Sequence, residues 1–273
     1  MSFRRKITLK AKTTLLLAVT ILAGIPAMAQ IPVNCGDTLD IPGGVYVLAA
    51  SLTCPSAPAV HIVANNVTFD MQGFTLSKSG SAVGAGIITA GGPTCVVTNG
   101  ISIHHGTVSG FGTGISLCVP TSPGVSSANT NAQIHHMTLT GNSVGLALFN
   151  ADGNDVHHNT VDANLGTTTT TPGTGIALFG SGGNQIHQNE VTANFTNGIA
   201  LLFSSSNNNL SHNEVANNHA SGILVTIGAL GNVIKHNEAT GDGAFDATEY
   251  NASCGTNVWQ MNVFSTKNQA CIQ

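Results

Sequence analysis

Residues 188–201 read QNEVTANFTNGIAL and residues 212–225 read HNEVANNHASGILV, one 14-residue phrase repeated after a shift of 24. Self-similarity at a fixed period of about 20–50 residues marks a solenoid, propeller or array, whose units bury their apolar faces only against neighbours. Placing the phrases in register aligns Ile186, Leu210 and Ile234, and the column extends outward through Ile103, Ile134, Val156 and Trp259. The wider gaps are loop insertions, CVPTSPGVSSANTNA and LGTTTTTPG.

Each unit reads N-x-I-x-x-N-x-V-x-x-N-x-x-G-I-x-L. Apolar residues alternate with small or polar ones over short runs, which is strand periodicity, and Gly and Asn punctuate them because both accept positive φ. Three short strands per turn, stacked turn upon turn, predict an all-β parallel β-helix. Its interior is filled by columns such as Ile176, Ile199 and Ile223, and Asn159, Asn189, Asn213 and Asn237 predict an asparagine ladder at one bend. Solenoid ends expose raw strand edges, so caps are expected. The reading is a signal segment at 1–29, an N-terminal cap at 30–60, coils at 61–250 and a C-terminal cap at 251–273 closing over Trp259.

The first 29 residues combine a basic start (Arg4, Arg5, Lys6, Lys10, Lys12), the apolar run TLLLAVTILAGI and the small-x-small site Ala27-Met28-Ala29. That pattern predicts a removable export signal rather than a membrane anchor, and FRRK hints at the twin-arginine route. Downstream, three lysines face twelve carboxylates, a net charge of −9 with histidines neutral. Nucleic-acid binding needs clustered Lys and Arg, so it is excluded. The protein is expected to be secreted or periplasmic, with no membrane span after cleavage. Six cysteines in such a compartment predict disulfides, and proximity suggests Cys35–Cys54, Cys95–Cys118 and Cys254–Cys271, though fifteen pairings are open.

The segments CGDTLDIPGGVYVLAASLTC, NVTFDMQGFTLS and GISIHHGTVSGFGTGISL, with the tandem NEV units, carry a resemblance that extends over nearly all of the mature chain. In them the chain resembles the secreted right-handed parallel β-helix proteins of the pectin-lyase-like superfamily. The resemblance implies a right-handed, single-stranded coil with disulfide-tied caps. The activity it implies is broad: polysaccharide lyases, hydrolases and epimerases, adhesins, and periplasmic proteins linked to copper-enzyme maturation.

Chemistry has four candidate places. The outward positions of the GIAL strand, Ser116, Ala147, Ala177, Ala200 and Leu224, transfer no proton. The basic residue that the resemblance implies for a pectate lyase has no candidate there either. Glu190, Glu214 and Glu238 recur in consecutive turns with Asp162 placed diagonally, and they are the candidate catalytic carboxylates. Glycosidic hydrolysis needs two carboxylates about 5–10 Å apart. The same row reads equally as a solvated face or as a calcium site. His105, His136, His158, His212 and His236 share a column broken by Gln188, beside a row of His104, His135, His157 and His187. That column is a candidate copper or zinc surface, or simply a bend residue copied with the repeat. Finally, the inserts at 118–132 and 165–174 could wall a groove near Asp152 and Asp155, the candidate binding residues, although aromatics for sugar stacking look scarce. The favoured role is non-catalytic binding of a polysaccharide or cell-surface glycan. An enzyme acting on polysaccharide and a periplasmic copper- or zinc-handling protein are the alternatives.

Overall fold

A computed structural model describes residues 29–91, 94–118, 128–166 and 173–273. The chain winds as a parallel coil with three strand columns. Asp155–His157, Gln185–His187, Asn209–Ser211, Val233–Lys235 and Val258–Gln260 stack in the first. Thr160–Asp162, Glu190–Thr192, Glu214–Ala216 and Glu238–Thr240 stack in the second. Val144–Phe149, Ile176–Phe179, Ile199–Leu202, Ser221–Val225 and Phe245–Glu249 stack in the third. Toward the N-terminus the first two columns run together as the single strands Ser102–Ser109 and Gln133–Thr140. No helix among the described residues is long and apolar enough to cross a membrane.

The register follows the alignment of the repeats. Ile103, Ile134, Val156, Ile186, Leu210, Ile234 and Trp259 are successive partners, all buried. Ile115, Leu146, Ile176, Ile199, Ile223 and Ala247 form the matching column across the core. Alternation inside each strand sends one residue inward and the next outward, so copying the phrase copies the core.

The corners repeat as strictly as the strands. A residue with positive φ turns the chain, and the next residue, asparagine in most turns, points inward. Three ladders result: Asn159–Asn189–Asn213–Asn237–Asn262, Asn142–Asn164–Asn194–Asn218–Asp242 and Asn154–Asn184–Asn208–Asn232–Asn257. In the first, each Nδ2 donates to the next Oδ1 at 2.9–3.1 Å and to a main-chain carbonyl of an earlier turn. Buried amides whose donors and acceptor are all matched cost little to bury, and each links turns that share no local sequence. The expectation of one ladder therefore grows to one per corner. The glycine before each I-x-L is fixed by the same crowding. A Cβ on Gly175 or Gly198 would lie 2.5 Å from a valine methyl and under 3 Å from a ladder amide.

Cys35–Cys54 and Cys254–Cys271 are bonded as expected, with Cα–Cα distances of 5.5 and 6.0 Å. They tie end turns that already pair with the sheets, since Gln30–Pro32 lies parallel to Val45–Val47 and Val263–Phe264 continues the second column. The side chain of Cys95, and with it the expected Cys95–Cys118 bridge, lies outside the described residues. So do residues 1–28 and most of both inserts.

Candidate functional surfaces

The first corner places the histidines. His105, His136, His158, His212 and His236 occupy its turning position with φ of 53–56°, and Gln188 and Met261 take it in two further turns, both at 54°. Histidine, like Asn and Asp, is enriched in this left-handed region. The residue before each belongs to the strand, so two rows stand outside the ladder, one half-buried and one exposed. In the half-buried row His104, His135, His157 and His187 stack with ring centroids 4.9–5.1 Å apart. In the exposed row His105, His136 and His158 stack at 5.1–5.2 Å, and His212 stacks on His236 at 5.0 Å.

Neighbours in sequence also meet. Nδ1 lies 2.8 Å from Nδ1 in His104–His105, 2.9 Å in His135–His136 and 2.8 Å in His157–His158. Burial, and then the surrounding rings, push His135 down to about 4. Burial also lowers His104 and His157, against the opposing pull of Asp70 and Asp155. Burial thus favours the neutral form of these three rings, in which one nitrogen carries a lone pair. Asp70 closes the row at one end, its Oδ1 at 3.4 Å from His104 Nδ1 and 4.0 Å from His105 Nδ1. Asp155 bonds His187 Nε2 at 2.8 Å. An open groove of about 510 Å³ runs past Asp70, Gln72, His105, Thr107, His136 and Thr138.

Glu190, Glu214 and Glu238 are direct register partners in the second column and are exposed. Asp162 pairs with Thr192, two residues along the strand from their line, which Thr160 occupies in that turn. None of the four lines a groove described here.

The third column ends at a different kind of surface. Phe149 and Phe179 stack at 4.5 Å outside the sheet, and Phe203 continues the stack at 6.0 Å. The corner after Ile199–Leu202 holds one residue more than the corner after Ile176–Phe179, so Leu202 takes the register of Phe179 and Phe203 falls into the corner. There it has φ of 48°, Ser204 follows at 63°, and the phenyl ring is 74% exposed. Left-handed backbone costs a bulky L-residue roughly 1–2 kcal/mol. Gly180 fills the equivalent place one turn earlier. On one side of Phe203 lies a groove of about 440 Å³ lined by Asn150, Asp152, Ser204, Ser206 and Asn207. On the other, Leu202, Thr226, Ile227 and Tyr250 line a more apolar one of about 310 Å³.

Residues 58–238 and 167–264 match the family model described as a right handed beta helix region. The chain belongs to that right-handed β-helix family. Among solved structures, this β-helix is similar to the Dettilon tailspike protein gp208, with 18% identity and a TM-score of 0.57 over 77% of this chain and 43% of that one. It is also similar to tailspike protein 2 from Escherichia coli O157:H7 bacteriophage CAB120, at 12% identity and a TM-score of 0.56 over 86% and 35%. The A-module of the Azotobacter vinelandii mannuronan C-5 epimerase AlgE6 matches more loosely, at 12% identity and a TM-score of 0.42 over 88% and 77%. The chain spans less than half the length of either tailspike. No curated protein matches its sequence.

Three expectations about this β-helix change. The outward positions of the GIAL strand are no open face: Ser116, Ala147, Ala177 and Ala200 are all buried, and Val144, Phe149 and Phe179 pack over the alanines. Aromatics are not confined to the interior, because the strand-end phenylalanines stand outside it. Asp152 and Asp155 do not share a site; the first lines the groove beside Phe203, and the second faces the histidine rows. Reasoning from sequence missed Asp70 and Phe203. A signal for the aromatic row existed in LALFN, IALFG and ALLFS, where phenylalanine recurs at the end of the same strand.

Proposed function

We propose that this chain is an exported, non-catalytic β-helix protein that holds a polysaccharide or cell-surface glycan against the Phe203 surface. One observation carries the reading: a bulky ring kept exposed, in strained backbone, between a polar groove and an apolar one. Strained, solvent-facing hydrophobic residues concentrate where a ligand supplies the missing contact. Sugars offer apolar C–H faces to an aromatic ring and hydroxyls to amides and carboxylates. Asn150, Asp152, Ser204, Ser206 and Asn207 supply the second set in the first groove. The paired cysteines and the N-terminal export pattern support a role outside the cytoplasm.

Binding is favoured over cleavage by the carboxylates. Asp152 is the one acid lining these two grooves, and its Oδ1 already accepts the Gly182 N–H at 2.6 Å. Glycoside hydrolysis calls for two such groups across the scissile bond. Affinity electrophoresis through gels containing different polysaccharides tests the reading. At least one polysaccharide is expected to retard the parent. Phe203→Gly and Asp152→Asn are each expected to weaken that retardation about tenfold, the scale of one lost stacking or charged contact. Equal retardation of the parent and Phe203→Gly would reject this surface.

A further inference from the structure

The repeat requires only that the turning residue at the first corner accept positive φ, which Gln188 does as well as histidine. It does not require two imidazoles per turn with their Nδ1 atoms turned to one another. Yet that arrangement holds in three consecutive turns, at 2.8–2.9 Å. Two nitrogens bound to one metal at about 2.0–2.1 Å lie about 2.9 Å apart when the angle between them is 90°, and about 3.3 Å apart at a tetrahedral angle. The observed separation fits adjacent corners of a square-planar or tetragonal centre, the geometry of Cu(II) with nitrogen and oxygen donors. At the N-terminal rung, Asp70 Oδ1 stands 3.4 and 4.0 Å from the two nitrogens and offers a third donor. The open groove beside it leaves the remaining coordination positions to water.

We propose that Asp70, His104 and His105 form a copper(II) site, and that His135–His136 and His157–His158 repeat its bis-imidazole chelate along the solenoid. In the free protein one Nδ1–H of each pair donates to the other Nδ1. On binding, that ring moves its proton to Nε2, so both Nδ1 lone pairs reach the metal. The stacking distance sets the filling order. Rings of successive rungs are 4.9–5.0 Å apart, and two dications at that spacing repel enough, even in water, to weaken the second by on the order of a hundredfold. The Asp70 rung fills first, His157–His158 second and the middle pair last. The unpaired members of the column, His212 beside Ser211 and His236 beside Lys235, are not ligands of this set.

The test is titration of the purified protein with copper(II) against a competing chelator, followed by electron paramagnetic resonance. The expected result is two tight equivalents with tetragonal spectra showing two coupled nitrogens each. The double substitution His104→Ser with His105→Gln should cut the two tight equivalents to one, because the two rungs that remain are adjacent at 5.0 Å. Both replacements occur naturally at equivalent positions, as Ser211 and Gln188, so the corner keeps its backbone. His212→Gln with His236→Gln should change neither equivalent. Should the first double variant fail to fold, Asp70→Asn keeps every histidine and should weaken the first equivalent about tenfold. The proposal is overturned if the parent binds no stoichiometric copper, if the 212/236 variant loses as much as the 104/105 variant, or if Asp70→Asn changes nothing. A tetrahedral rather than tetragonal spectrum would overturn it as well.

Discussion

Asn213 shows what a single residue contributes to this coil. Its Nδ2 donates to Ile186 O at 2.8 Å and to Asn237 Oδ1 at 2.9 Å, and its Oδ1 accepts both N–H and Nδ2 of Asn189. Truncation strands buried donors and acceptors in three turns, and an unmatched buried polar group costs about 1–3 kcal/mol. Asn213→Ala should therefore lower unfolding free energy by about 3 kcal/mol or more in chemical denaturation, whereas an alanine at exposed Glu214 should change it by under about 0.5 kcal/mol. Phe203 is the opposite case. Its ring is largely exposed and its backbone is left-handed, so Phe203→Gly should leave stability unchanged or raise it by up to about 1 kcal/mol while glycan retention falls. A melt of the variant beside the parent reads the first effect and gel retardation the second. The asparagines were legible in sequence because the ladder repeats their identity at the period of the fold. Phe203 was not, because one additional residue takes it out of the column its neighbours define.

At the scale of the element, each ladder must stop somewhere, and the second stops at an acid. Asp242 Oδ1 accepts Asn218 N and Nδ2 at 2.8 and 2.9 Å as an asparagine would. Its Oδ2 replaces the amide that in Asn194 and Asn218 donates to a main-chain carbonyl, and it is buried without a partner. Burial first, and then Asp246, raise its carboxyl to about 6, against the opposing hydrogen bonds of Asn218. The folded state thus holds a proton that the unfolded chain releases near pH 3.8. This contribution is fully present below pH 3.8 and is lost as pH rises through about 6. Asp242→Asn should restore the ladder pattern, raise stability at pH 7 by about 1 kcal/mol after allowing for solvent screening, and flatten the profile across that window. Denaturation midpoints at pH 4, 5, 6 and 7 check the slope. The strand columns were readable because apolar alternation survives every substitution among Ile, Leu and Val. Two of the three corner ladders passed unread although their asparagines stand in the repeat, since side-chain direction at a bend follows from the turning residue and not from alternation.

At the scale of the molecule, a coil with open ends needs both of them closed, and the C-terminal turn does so around a buried acid. Glu249 is fully buried and accepts from Asn251 N and Nδ2 at 2.8 Å, Asn257 Nδ2 at 3.0 Å and Trp259 Nε1 at 3.2 Å. Trp259 in turn packs edge-on against Phe264. Removing the acceptor leaves Asn251 N and Trp259 Nε1 without a partner and takes one bond each from Asn251 Nδ2 and Asn257 Nδ2, so Glu249→Ala should destabilise by about 3 kcal/mol, with proteolysis beginning at the C-terminal turns. Glu249→Gln, which keeps one acceptor oxygen, should lose less. Nothing in sequence marks this acid as buried, because its partners come together only once the turn is closed. The same holds for Asp70, brought to His104 by the parallel register of the turns that carry them. Fold and function thus differ in legibility for one reason. Every turn restates the core, while Asp70 and Phe203 meet neighbours that the repeat does not copy. The central claim is that the outer surface holds a glycan without cutting it. Size-exclusion chromatography with light scattering, on a polysaccharide that the protein retards, tests this directly. The account predicts that protein co-elutes with chains of unchanged length after long incubation; progressively shorter chains would contradict it.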